Sequence, residues 1–177
     1  SNYIDGKWTP SKTKETYVSI NPANTDEVLG YFQKSNEEDV ELAITSAENA
    51  FKKWSNTPVP SRGNVLFHLI QLLEKKKAEL ATIITKEVGK SFREANGEVQ
   101  KTIDAMKQFS GEATRLNGET IPSHDHDIFG YTVREPLGVV GVIAPYNFPL
   151  GIGIWKIAPA IIAGNTVIFK PASNTSL

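Results

Sequence analysis

Between residues 35 and 118 apolar side chains recur every three or four positions, and between 138 and 173 they run almost unbroken. The first pattern is that of amphipathic helices; the second is that of buried strands and a buried helix. Ser35 and Glu38 set a capping box ahead of Val40, Ala43, Ile44, Ala47, Phe51 and Trp54. That helix is expected to stop near Asn56, because Pro58 and Pro60 follow. A second helix is expected from about Ser61 to Val88, with Val65, Leu66, Leu69, Leu72, Leu73, Leu80, Ile83 and Ile84 inward and Gly89 as its terminal glycine. Ser91 and Glu94 form another capping box. Phe92, Ala95, Val99, Ile103, Met106, Ala113 and Leu116 give the third helix its stripe, and Asn117-Gly118 ends it. Trp54, Met106 and Phe109 read as core. His68, inside an apolar helix, reads as a packed histidine rather than a catalytic one.

The flanks differ. Residues 1–34 look like strands and turns, with Asp5-Gly6 as a hairpin signal and Asn21-Pro22-Ala23-Asn24 as a second turn. Residues 119–135, ETIPSHDHDIFGYTVRE, mix polar and β-prone side chains. Val139–Ala144 is a continuous apolar run, the mark of a strand covered on both faces in a parallel sheet. Phe148–Ala163 reads as a buried helix with Pro149 in its first turn, Pro159 bending or shortening it, and Gly164-Asn165 ending it. Thr166–Phe169 is a second buried strand. Strand, helix and strand make a βαβ unit.

Composition narrows the function. The chain has 177 residues, enough for one sizeable core, with 19 Lys plus Arg against 20 Asp plus Glu. A net charge of −1 leaves no electrostatic footprint for nucleic acid or an anionic membrane. Lys75-Lys76-Lys77 reads as a solvated helix face. Pro136–Trp155 is an uncharged run long enough to span a bilayer, but Pro145, Asn147 and Pro149 at its centre would leave a spanning helix with unsatisfied backbone. There is no cysteine, which excludes a disulfide scaffold, a thiolate zinc site and a cysteine nucleophile within these residues. No signal peptide is visible, and a cytoplasmic location is expected. His124-Asp125-His126-Asp127 invites a metal reading, but strand neighbours face opposite ways and no second ligand cluster exists, so a solvated turn and no metal are expected.

Ligands of open α/β sheets sit beyond the carboxyl ends of the strands. Those ends are APYN and FKPAS, with Asn147, Lys156 and Lys170 as isolated polar residues beside apolar runs. The dinucleotide glycine fingerprint is absent, since Lys156 stands where the third glycine should be, and there is no P-loop. By position alone Asn147 reads as a helix N-cap; a lysine that simply ends a strand in solvent is the bland reading of Lys170, and Pro171, which fixes the exit path, speaks against it.

The segments EVGKSFREANGEV, PLGVVGVIAPYNFPL and WKIAPAIIAGNTVIFKPAS together resemble the N-terminal part of the aldehyde dehydrogenase superfamily. The resemblance covers most of the chain. It implies an α/β fold: a Rossmann-like parallel-sheet cofactor domain without the glycine fingerprint, preceded by three helices and carrying a projecting β-ribbon. Residues 1–118 and 137–177 would belong to that domain, and 119–136 to the ribbon, which pairs in a dimer or tetramer. It implies oxidation of an aldehyde to an acid with NADP or NAD. A cysteine thiolate forms a thiohemiacetal, hydride passes to the nicotinamide, and a glutamate-activated water releases the acid.

By the same resemblance Asn147 supplies the side-chain donor to the oxyanion. Ile143, Ala144, Pro145 and Tyr146 line the cofactor with Lys170, Pro171, Ala172 and Ser173, and Lys170 bonds the adenosine ribose. Lys156 matches a family lysine near the site. The family's cysteine and general-base glutamate lie beyond the KPAS region, so the chain is expected to be a piece that does not catalyse alone. Tyr146 stands where many members have Trp. Ser173 stands where NAD-preferring members often have Glu, which points to NADP use. Two alternatives share the scaffold: a CoA-acylating or semialdehyde-type relative, and a non-catalytic nucleotide-binding or oligomer-forming fragment.

Overall fold

The computed structural model describes residues 1–177. Two antiparallel hairpins open the chain: β1 (Asn2–Ile4) with β2 (Lys7–Thr9), and β3 (Thr16–Asn21) with β4 (Asn24–Gln33). The first turns at Asp5 and Gly6, both at positive φ (51° and 71°), as a tight Asp-Gly turn requires. Four helices follow: α1 (Glu37–Trp54), α2 (Val59–Lys75), α3 (Lys77–Val88) and α4 (Phe92–Glu112). The 119–136 segment pairs through β5 (Thr120–Ile121) and β6 (Gly130–Tyr131), with one more backbone bond from the Thr132 N–H to the Glu119 carbonyl (2.8 Å). The chain then runs through β7 (Val139–Ile143), α5 (Pro149–Ile162) and β8 (Thr166–Lys170), and β7 and β8 pair in parallel.

Several expectations are corrected in detail. The box that opens α1 is made by Asn36 and Asp39, one residue later than expected, because the Asp39 carboxylate also takes the Lys12 N–H and so pins the helix start to the segment between β2 and β3. The single helix expected over 61–88 is two, broken at Lys76. The break lets α3 turn Ala81 and Ile84 onto α4 while α2 keeps Leu66, Ile70 and Leu73 there. Val65 and Leu72, expected inward, are about half exposed, and so is Phe92. His68 is exposed, since it lies about 200° around the helix from buried Leu66. The box at Ser91 and Glu94 forms as expected, and the Ser91 hydroxyl holds the Glu94 carboxyl below its ordinary range.

The core lies among α2, α3, α4 and α5, where Leu66, Ile70, Val99, Ile103, Met106, Ala158 and Ile162 meet. Phe109 packs at its edge, and Trp54 donates its indole N–H to the Ile161 carbonyl at 3.2 Å. β7 and β8 lie between α1 and α5. Thr166 donates to the Ala47 carbonyl on the α1 side (2.9 Å), while the Phe169 ring lies so close to α5 that a Cβ on Gly153 would meet it at 3.1 Å. Full cover of β7 is not found: Ile143 is 67% exposed and Gly141 on the same face is exposed too, while Val142 on the other face is buried. Pro159 does not stop α5, which continues to Ile162. Asn165 does more than end the helix. Its amide oxygen accepts from Leu137 N–H (2.7 Å) and Gly138 N–H (3.0 Å), and its amide nitrogen donates to the Ala160 carbonyl (3.1 Å), fixing where β7 starts.

Candidate functional site

Parallel pairing sets Ile143 opposite Lys170, so the two strands end side by side. Ala144, buried, adds one more bond to the Lys170 carbonyl at 3.3 Å. Pro145 then turns the chain outward, and Tyr146, Asn147 and Phe148 form an exposed bend ahead of α5. Lys156, two turns into α5, reaches back and donates to the Ile143 carbonyl at 2.8 Å. Lys170 is exposed, and its ammonium meets the Pro171 carbonyl at 3.0 Å. Ser173 and Asn174 line one shallow depression with Tyr146 and with Tyr17, Val18 and Ile20 of β3. Ile143, Ala144 and Lys170 therefore meet at one edge, and Tyr146 and Ser173 line one depression.

Asn147 does not cap α5. The residue at the cap position is Phe148, and no side chain of the helix's own segment bonds its first turn. That task falls to Glu98 of α4, whose Oε1 accepts from the Leu150 and Gly151 N–H groups at 3.1 Å each. Its Oε2 accepts from Lys90 Nζ at 2.8 Å, and Lys90 also donates to the Asn147 carbonyl at 2.6 Å and lies 4.3 Å from the Phe148 ring centroid. Glu98 is 1% exposed and Lys90 14%. A buried carboxylate is tolerated only when paired and fully bonded, and both conditions are met here. The Asn147 side-chain amide makes no protein hydrogen bond and faces outward on an anchored backbone.

Lys90 and Glu98 both lie inside the EVGKSFREANGEV segment, but no role for either is read from it. The legible signal was the position of Glu98. With Ala95, Thr102 and Met106 it falls on the buried stripe of α4, where a charge needs a partner. At the other end of α5, Arg62 donates Nε–H to the Ile162 carbonyl at 2.9 Å, and burial pushes its guanidinium below its ordinary value. The helix thus has an anion at its positive end and a cation at its negative end. Its first-turn amides, where a glycine-fingerprint fold would seat a pyrophosphate, are already taken by Glu98.

The segment carrying Ser173 is tied down from below. The Thr175 N–H and Ser176 hydroxyl donate to the Ala172 carbonyl, and the Tyr17 and Ser176 hydroxyls share a bond at 2.9 Å. Glu87 of α3, itself buried, accepts the Leu177 N–H at 2.7 Å. Burial raises the Glu87 carboxyl above its ordinary value, against the lowering pull of the Leu177 and Ser176 amides.

The model of the Aldehyde dehydrogenase family matches residues 8–177. The chain belongs to the aldehyde dehydrogenase family. It is 42% identical over 176 residues to the alpha-ketoglutaric semialdehyde dehydrogenase of Bacillus subtilis, covering 99% of this chain and 36% of that protein. Its fold is similar to that of NADP-dependent glyceraldehyde-3-phosphate dehydrogenase from Bacillus halodurans complexed with NADP, with a TM-score of 0.91, 37% identity, and 97% of this chain and 37% of that chain covered. It is also similar to a point mutant of betaine aldehyde dehydrogenase from Staphylococcus aureus in complex with NAD+, with a TM-score of 0.94, 35% identity, and 98% of this chain and 35% of that chain covered. The chain thus spans about a third of the length of the relatives it matches.

The His124–Asp127 segment is a solvated turn. It is not a strand, so the expectation that its side chains diverge is corrected: His126 Nδ1 lies 3.6 Å from Asp125 and 3.4 Å from Asp127. All three side chains are open to solvent. No helix is long and apolar enough to cross a membrane.

Proposed function

We propose that this chain forms the oxyanion-donor and nucleotide-binding portion of an NAD(P)-dependent aldehyde dehydrogenase acting on an aldehyde, with a semialdehyde as the favoured substrate class. The observation that carries the reading is the outward amide of Asn147, unbonded and held on an anchored backbone beside the paired strand ends. A neutral N–H donor fixed there meets the negative charge that grows on the aldehyde oxygen when a thiolate adds to the carbonyl carbon. The bound nicotinamide supplies a hydride acceptor. Collapse of the oxyanion expels the hydride, and water attack on the resulting thioester releases the carboxylic acid. The thiolate and the general base come from outside residues 1–177, which contain no cysteine. The names of relatives such as alpha-ketoglutaric semialdehyde dehydrogenase favour the semialdehyde class.

The cofactor fits this edge at its adenosine end. Lys170 and Ser173 are exposed and three residues apart, and no carboxylate bonds the Lys170 ammonium. Ile143, Ala144, Pro145, Tyr146, Pro171 and Ala172 complete the surface. A phosphate on the ribose 2′ position would find a cation and a hydroxyl donor there, which favours NADP with NAD as the alternative. Residues 1–118 and 137–177 would form part of the cofactor domain, and 119–136 the ribbon through which copies pair in a cytoplasmic dimer or tetramer.

The test is Asn147→Ala in the full-length protein. The kcat for aldehyde oxidation should fall by about two to three orders of magnitude, the cost of losing one oxyanion donor. Stability should barely change, because Asn147 caps nothing. A normal kcat in a folded variant overturns the reading.

A further inference from the structure

The bend that presents Asn147 has no side-chain bond of its own, and its two ends converge on one ion pair. On the carbonyl side Lys90 Nζ holds the Asn147 C=O at 2.6 Å; on the helix side Glu98 Oε1 holds the Leu150 and Gly151 N–H groups. The two side chains join through the 2.8 Å bond between Lys90 Nζ and Glu98 Oε2. Lys90 follows Gly89, the left-handed residue (φ 77°) that ends α3, and Glu98 lies on the buried stripe of α4. The pair therefore references the bend to the helical core and not to the strands that end beside it. A helix cap alone would need only Glu98, whereas the reach of Lys90 to the carbonyl of Asn147 fixes the peptide plane from which that side chain projects.

We propose that Lys90 and Glu98 are positioning residues for the Asn147 amide, setting where its N–H points when the oxyanion forms. This rests on the oxyanion reading of Asn147. An amide displaced by an ångström loses much of its worth to the transition state while ground-state binding is little altered, so the signature is in kcat rather than KM.

The experiment is a double-mutant cycle in the full-length protein between Lys90→Met and Asn147→Ala, reading kcat and aldehyde KM, with Lys90→Arg as the conservative variant. Alone, Lys90→Met should lower kcat by about 10–100-fold with KM changed less than about threefold, and Lys90→Arg should recover part of the loss. In the Asn147→Ala background the further loss from Lys90→Met should shrink to below about threefold, because the group being positioned is gone. Equal losses in both backgrounds, or a Lys90→Met enzyme with unchanged kcat, overturn the proposal. If Asn147→Ala alone keeps its kcat, the oxyanion reading itself fails, and the proposal with it; that outcome is distinct from a cycle that is merely additive. Should Lys90→Met not fold, Glu98→Gln supplies the same cycle: it keeps an acceptor for Leu150 and Gly151 but removes the charge that orients Lys90.

Discussion

Asn147 and Ser173 are both exposed residues of capping type, and each could have been an ordinary helix start. At Asn147 the neighbourhood decides otherwise, because Glu98 has already bonded the first turn of α5. At Ser173 the issue is charge. A carboxylate in its place would face the 2′-phosphate of NADP, and two such charges about 4 Å apart repel by roughly 4 kcal/mol at an effective dielectric of 20, before screening by water. Ser173→Glu in the full-length protein should therefore lower kcat/KM for NADP by about tenfold or more while sparing NAD, as initial rates with each cofactor would show. Undiminished NADP use by that variant would sink the charge argument.

Among the elements, α5 depends least on its own sequence. It is apolar on most sides, lacks a side-chain cap and contains a proline, yet it is held at both ends by Glu98 and by Trp54 and Arg62. The segment after β8 is held in the same borrowed way by Glu87. That carboxyl is raised by burial, so the sign of its pH effect is set. Below the ordinary carboxylate range it is protonated in the folded and unfolded chains alike and carries no penalty. As pH rises, the unfolded chain ionises first, and stability falls until the folded carboxyl ionises too. Glu87→Gln keeps an acceptor for the Leu177 N–H. It should match the parent protein at about pH 3.5 and unfold at a higher Tm near neutrality. A Tm that is lower at neutral pH would mean that the ionised carboxylate is favourable where it stands.

Over the whole molecule, the 119–136 segment is the part least attached to the core. Its two strands pair over two residues each, and Ile121, Ile128, Phe129 and Tyr131 are 52–76% exposed. A ribbon this short is marginal in water and its edges are open to pairing. If 119–136 joins copies, sedimentation of the full-length protein at micromolar concentration should show a dimer or tetramer, and Phe129→Asp should shift it toward monomer. A strict monomer before mutation would remove the assembly role.

The helical part was legible from periodicity, because α1, α2 and α4 each bury one stripe, and period and burial then carry the same information. The parallel strands were legible from two apolar runs separated by a helix-length segment, and the family from the residues at their carboxyl ends. What the sequence could not contain was which side chain would serve which backbone. The break at Lys76, the exposure of His68, and the capping of α5 by Glu98 depend on how α2, α3 and α4 face each other. Those orientations are chosen by packing between separate helices, not by neighbours along the chain. For the same reason Asn147 could be read from its position as a helix cap, whereas in the fold Phe148 takes the cap position and a carboxylate from another helix bonds the first turn.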